Sequence, residues 1–226
     1  MEMYPYIQAK STEDLKIYAV ISYGLSSNTY IIESHGETAI IDVGYGPPHS
    51  NIIETLGELK MSTEDVRKVL ITHRHRDHTR DIKRLLEEND NMKIYIHRND
   101  RDIVMENLKI GKDRIYTLYG DENVNVGKAK IKVIHTPGHT SGSICFQCSE
   151  IIFTGDLVFA NGEYGRTDLP TGNHKELIKS LERILTLNIN AMLPGHGEII
   201  FKEARSHIKL ALKNAMRKQA TKHDNN

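Results

Sequence analysis

Apolar positions recur along this chain in two periods, and segments of one period alternate with segments of the other. Short β-branched runs bounded by Gly, Ser and Asn read as strands at residues 16–21, 28–33 and 37–42. Pro47-Pro48 is placed to open a helix through about residue 59, because proline is tolerated in a helix's first turn. Residues 67–72 form a β-branched strand, and residues 79–88 then carry Ile82, Leu85 and Leu86 at helical spacing. A strand at 94–96 and a helix at 99–108 follow, then strands within 124–134 and 143–154. Residues 175–187 show an amphipathic stripe of Leu177, Ile178, Leu181, Ile184 and Leu185. A strand at 189–193 leads to a closing amphipathic helix within 202–222, marked by Ile208, Ala211, Leu212, Ala215 and Met216. There are thus two β-rich stretches, each followed by helices. Residues 38–44 and 150–156 are alike: a charged turn, a β-branched run, then Asp beside Gly. This suggests an internal duplication, and it is what a two-sheet sandwich with helices outside both sheets would show. No linker interrupts the pattern, so residues 1–226 read as one domain.

Composition narrows the function classes. The chain has 226 residues and a formal net charge of +0, so no charge footprint points to nucleic acid or an anionic membrane. No apolar run approaches the ~20 residues that cross a bilayer, and the N-terminus lacks a basic region followed by an apolar run. The chain reads as soluble and cytoplasmic. Cys145 and Cys148 do not make a disulfide framework and read as ordinary buried or half-buried residues. The basic face of the closing helix, with Lys209, Lys213, Arg217, Lys218 and Lys222, reads as solvated, and it would also serve to seat a subunit in a homo-oligomer.

The candidate chemistry begins at the end of the 67–72 strand. His73, His75, Asp77 and His78 stand in the spacing H-x-H-x-D-H. In an extended loop, residues two apart point the same way, so His73 and His75 can converge on one ion. Asp77 and His78 lie where the chain turns, and can face a second. Imidazole nitrogen and carboxylate oxygen suit zinc and other borderline metals. The plainer alternative is a polar loop whose Asp77 caps the next helix. Three further segments weigh against it: His135-Thr136-Pro137-Gly138-His139-Thr140-Ser141-Gly142-Ser143, Phe153-Thr154-Gly155-Asp156 and Leu193-Pro194-Gly195-His196-Gly197. Each sets a His or Asp beside Gly, where the backbone can bend sharply and approach a ligand.

In this order and spacing, the four segments resemble the metallo-β-lactamase superfamily, and Ala39-Ile40-Ile41-Asp42-Val43-Gly44 matches its first motif. The resemblance spans roughly residues 15–197. Within the superfamily, Gly165-Arg166-Thr167-Asp168-Leu169-Pro170 followed by Gly172 looks like the glyoxalase-II-type group. The implied fold is α+β, a four-layer αββα sandwich. The implied cofactors are two divalent metal ions, zinc first, with iron or manganese as alternatives. His73, His75 and His139 would hold one ion, Asp77, His78 and His196 the other, and Asp156 would bridge. Asp42 is expected to orient a ligand rather than to be one. His135 is expected to point away; His97 and His174 to be surface or capping residues; His49 has no ligand context.

Water between two adjacent cations is a nucleophile at neutral pH. A thiolate leaves without a strong general acid, so a small-molecule thioester is an undemanding substrate. The expected activity is therefore glyoxalase-II-like thioester hydrolysis by a metal-bridging hydroxide, with Asp77 or Asp156 accepting the nucleophile's proton. No serine elbow, Walker loop or dinucleotide fingerprint competes. By the resemblance, Arg166 is placed to bind a substrate carboxylate, or else to pair with Asp168 and fix its loop. Two departures from the group stand out. Arg80-Asp81 replaces the usual small residues after the hexad, and only about one helix follows His196, which argues against glutathione itself. The leading alternative is a mononuclear Fe(II) persulfide dioxygenase using His73, His139 and Asp156; a lactonase is another. A flavodiiron-type carrier is disfavoured, because His75 stands where those proteins have Glu.

Overall fold

The computed structural model describes residues 6–11 and 14–223. A first sheet runs β1 (Tyr6–Ser11), β2 (Lys16–Val20), β3 (Thr29–Ser34), β4 (Glu37–Ile41), β5 (Val66–Leu70), β6 (Lys93–His97) and β7 (Ile115–Leu118), in that spatial order. Its first four strands are antiparallel and its last four parallel. The parallel half needs crossovers. These are α1 (Ile52–Glu58), then α2 (Arg76–Thr79) with α3 (Ile82–Glu88), then α4 (Arg98–Leu108). The second sheet has the order β12-β11-β10-β9-β8, built from β8 (Asn123–Val126), β9 (Ala129–His135), β10 (Ile144–Cys148), β11 (Ile151–Gly155) and β12 (Ala191–Pro194). Only β11 and β12 are parallel there, joined through α5 (His174–Leu185). The chain closes on α6 (Ala204–His223).

Strand alternation accounts for the four layers. Ile17, Ala19, Ile32 and Ile41 face Val133, Phe146 and Phe153 across the space between the sheets. Their neighbours Tyr18, Val20, Ile31 and Ile40 turn outward and are covered by Ile52, Leu56, Ile82, Leu85 and Val104 of the helices. On the second sheet Ile134, Cys145 and Ile152 are covered in the same way by Leu177, Leu181, Ile184, Ile208 and Ala211. This is the expected αββα sandwich, with two mixed sheets.

The elements differ from expectation in a few places. Helix α1 starts at Ile52 because Asn51 caps it, its side chain accepting from Glu54 N; Pro47 and Pro48 lie in the preceding turn. The expected helix over 79–88 is broken into α2 and α3. Residues 143–154 fold back as a hairpin around Ser149, which takes a left-handed conformation (φ 55°). Strands β1 and β7 lie at the two edges of the first sheet and were not anticipated. Cys145 and Cys148 are both buried and unpaired, and burial pushes the Cys145 thiol up to about 12. Among the described residues, no helix is long and apolar enough to cross a membrane.

Candidate metal centre

The proposed ligands sit at the C-terminal ends of β5, β9, β11 and β12, along one edge of the sandwich. Main-chain bonds join the two sheets there. Ile144 N donates to Thr72 O (2.9 Å) and Asn28 N to Gly195 O (2.7 Å), while within the first-sheet half Val43 N donates to His78 O (3.0 Å). Tyr30 OH donates to Pro194 O (2.5 Å). Loops carrying ligands from both sheets are thereby held to one frame before any ion is considered.

Two clusters form on this frame. The first is His73, His75 and His139; the second is Asp77, His78, Asp156 and His196. His73 Nε2 lies 3.0 Å and His139 Nε2 2.9 Å from His75 Nδ1. His78 Nε2 lies 3.3 Å from His196 Nε2, which is 3.1 Å from Asp77 Oδ2. Donors on a tetrahedral ion with bonds near 2.0–2.1 Å stand roughly 3.3 Å apart, so both clusters have the right spread. Asp156 spans them: its Oδ1 is 3.3 Å from His78 Nε2 and its Oδ2 is 3.5 Å from His139 Nε2.

The far side of the rings fixes which nitrogen faces inward. Asp42 accepts from His78 Nδ1 (2.8 Å), from Thr72 N (2.8 Å) and from Thr72 Oγ1 (2.7 Å). Thr72 Oγ1 in turn meets His73 Nδ1 at 3.1 Å. His139 Nδ1 donates to Arg166 O at 2.7 Å. Nε2 is therefore the nitrogen that faces inward in His73, His78 and His139. Asp42 lies outside both clusters and touches them from behind.

Burial and charge agree with a cation site. Burial, with His78 nearby, holds His73 well below the ordinary histidine range, and burial with His139 brings His75 down to about 4. Burial alone would raise Asp156, but His78, His73 and His196 hold it well below the usual carboxylate range. His73 and His75 are thereby kept neutral beside an ionised Asp156. At His78, by contrast, burial is overcome by Asp156 and Asp42, which hold it well above the ordinary histidine range, a carboxylate environment that draws positive charge. Asp156 Oδ1 is buried with no hydrogen-bond partner, a costly arrangement for a charged oxygen unless a cation meets it. The donor set thus fits divalent metal ions. Gly195 is needed for this approach: a Cβ there would collide with Asp156 Oδ1 and His78 Cε1.

The cluster forms the floor of a cavity of about 790 Å³. His75, Asp77, His139, Asp156 and His196 reach it, and Leu25, Phe159 and Leu169 give it apolar walls. Arg166 also lines it, but its guanidinium makes a two-point pair with Asp168 (3.0 and 2.7 Å). Asp81, one of the two charged residues that follow the hexad, is buried and turned into a two-point pair with Arg84 (2.9 and 2.7 Å). The remaining histidines lie outside the cluster. His135 stacks on His97 with centroids 4.1 Å apart, and its Nε2 meets Ser141 O. His97 caps α4, although it is buried rather than at the surface. His174 opens α5 and donates to Ala215 O of α6 (2.9 Å).

Asp100 was not singled out from sequence. It is fully buried on α4, and its Oδ2 accepts from Arg74 N (3.1 Å) and Thr140 Oγ1 (2.6 Å). It therefore ties the loop of His73 and His75 to the loop of His139. No local motif marks such a residue, because its two partners are distant in sequence.

Comparison with known proteins agrees with the geometry. The sequence model of the metallo-beta-lactamase superfamily matches residues 22–196. A "Probable metallo-hydrolase" of Methanocaldococcus jannaschii is 34% identical over 206 residues, covering 83% of this chain and 96% of the relative. Among solved structures, the di-iron-bound form of TTHA1623 is 27% identical with a TM-score of 0.65, covering 80% of this chain and 93% of that one. ETHE1 from Myxococcus xanthus shares the fold at 22% identity, with a TM-score of 0.70 and coverage of 88% and 89%.

Proposed function

The chain belongs to the metallo-β-lactamase superfamily, and from that premise we propose that it is a glyoxalase-II-like hydrolase of thioesters. The observation that carries this reading is the pair of ligand clusters meeting at Asp156 beneath a partly apolar cavity. In this reading His73, His75 and His139 hold one divalent ion, Asp77, His78 and His196 a second, and Asp156 bridges, with zinc the first choice of metal. The two ions would lower the pKa of water between them and polarise the carbonyl under attack.

The chain's own residues do the rest. Asp77 and Asp156 are the carboxylates on the cavity floor, placed to take a proton from the attacking water. Asp42 and the carbonyl of Arg166 keep His78 and His139 aimed inward. Leu25, Phe159 and Leu169 shield the reacting group from bulk water. The thiolate leaves without a strong acid beside it. Arg166 acts chiefly through its pairing with Asp168, which holds the loop whose carbonyl orients His139.

The iron dioxygenase alternative needs only His73, His139 and Asp156. It leaves the second cluster, complete with His78 buried on Asp42, without a purpose. The test is metal stoichiometry with activity. Protein loaded with excess zinc should hold about two ions per chain, and Asp156→Ala should lose most thioesterase activity together with one or both ions. Full activity in that variant would overturn the assignment.

A further inference from the structure

The cavity continues past the metal centre into a hollow of about 340 Å³ on the outer side of α2, where Leu25, Tyr45 and Arg76 belong to both. His49 and Arg80 complete its lining. Arg76 starts α2, and Arg80 follows it in helical conformation (φ −63°, ψ −39°). Residues four apart on a helix share a face, so the two guanidiniums are neighbours. Both side chains are exposed, and among the described residues neither guanidinium is in an ion pair or hydrogen bond. Arg80 is 5.8 Å from the centre of the Tyr45 ring, which is in turn 5.8 Å from the His49 ring.

This contrasts with the other charged groups nearby. Arg166 is neutralised by Asp168, and Arg84 by Asp81. Two like charges at this spacing repel each other when no counter-charge is present. Glu163 and Glu198, which also line the main cavity, lie outside the hollow. The site is therefore bipolar: cationic over α2 and acidic elsewhere on its rim. A substrate with one anionic end would bind in a single direction.

We propose that Arg76 and Arg80, backed by Tyr45 and His49, form an oxyanion-binding subsite that holds a carboxylate or phosphate of the substrate while its thioester lies over the metal centre. The forked guanidinium geometry suits either oxyanion, and two forks side by side suit a phosphate's several oxygens. The thioester part of this inference rests on the reading given above. The charge preference rests on the hollow alone.

The experiment compares matched thioesters: S-acetylpantetheine with its terminal phosphate ester, and N,S-diacetylglutathione with its dimethyl ester, which is neutral because its amine is blocked. Arg80→Glu is the main variant, because Arg80 lies outside the ligand loop. It should raise KM about tenfold or more for whichever charged member uses the subsite, and leave the neutral member of that pair within about twofold. A phosphate-only effect identifies a phosphate-bearing substrate, and a carboxylate-only effect a carboxylate-bearing one. Equal effects on charged and neutral members would overturn the proposal. Binding is read separately by calorimetry with the S-ethyl thioethers of the same compounds, which cannot hydrolyse. Charge-dependent thioether binding that Arg80→Glu removes, with no thioester hydrolysed, would keep the subsite and sink the thioesterase reading. Failure of both charged thioethers to bind more tightly than their neutral partners would sink the subsite.

Discussion

At the scale of single residues, the site depends on what holds the ligands from behind. Asp42 is the clearest case, since one carboxylate serves His78 directly and His73 through Thr72. Asp42→Asn keeps the size but removes the charge. It should weaken metal binding by about 10–100-fold, measured by competition with a chelator; unchanged affinity would remove Asp42 from the site. Arg166 and Asp168 should behave as a unit. Alanine at either position should reduce activity on charged and neutral thioesters alike, through the loop that orients His139. A KM increase confined to carboxylate-bearing substrates in Arg166→Ala would instead give Arg166 direct contact with substrate. Asp100→Ala leaves Arg74 N and the Thr140 hydroxyl without their buried acceptor. A loss of about 1–3 kcal/mol in denaturant unfolding is expected.

At the scale of elements, helices α5 and α6 support the second sheet from outside, away from the ligands. Leu181 is fully buried in that layer, so Leu181→Ala should cost about 2–5 kcal/mol. The metal content of the folded fraction should not change; a loss of metal there would show that the layer reaches further into the site than its contacts indicate. The same layer shows why part of the fold was legible beforehand. The α5 stripe and the β-branched runs of β3 to β5 each carry enough buried positions to declare their period. Strand β7 is short and lies at a sheet edge with Tyr116 exposed, so its pattern is weak. The start of α1 was misplaced because two prolines imitate a helix's first turn, while the effective signal was the Asn51 cap. The seven candidate ligands were legible because motif spacing encodes them. Asp100 and the unpaired Arg76–Arg80 face were not, because their meaning comes from contacts and missing counter-charges that only the folded chain reveals.

At the scale of the whole molecule, stability should depend on acid in a defined window. His97, buried and stacked on His135, is brought from its usual 6.5 down to about 4, by burial first and His135 second. The unfolded chain therefore binds this proton more readily than the folded one. Stability should be full above pH 6.5, decline as the pH falls towards 4, and level off below. His97→Asn can still cap α4 and should flatten that slope in metal-loaded protein. An unchanged slope would place the acid sensitivity elsewhere.

The central claim is that two clusters hold two ions for hydrolysis rather than one ion for oxygen chemistry. It is tested most directly on protein purified without added metal, by measuring bound zinc and iron and then assaying in parallel. One assay is thioester hydrolysis without oxygen; the other is oxygen uptake with a glutathione persulfide. Zinc has no accessible redox chemistry, so it cannot support the second. The predicted result is anaerobic thioester hydrolysis that is lost in His78→Ala and in His196→Ala. Iron-dependent oxygen uptake that survives both substitutions, with no thioesterase activity, would contradict the account.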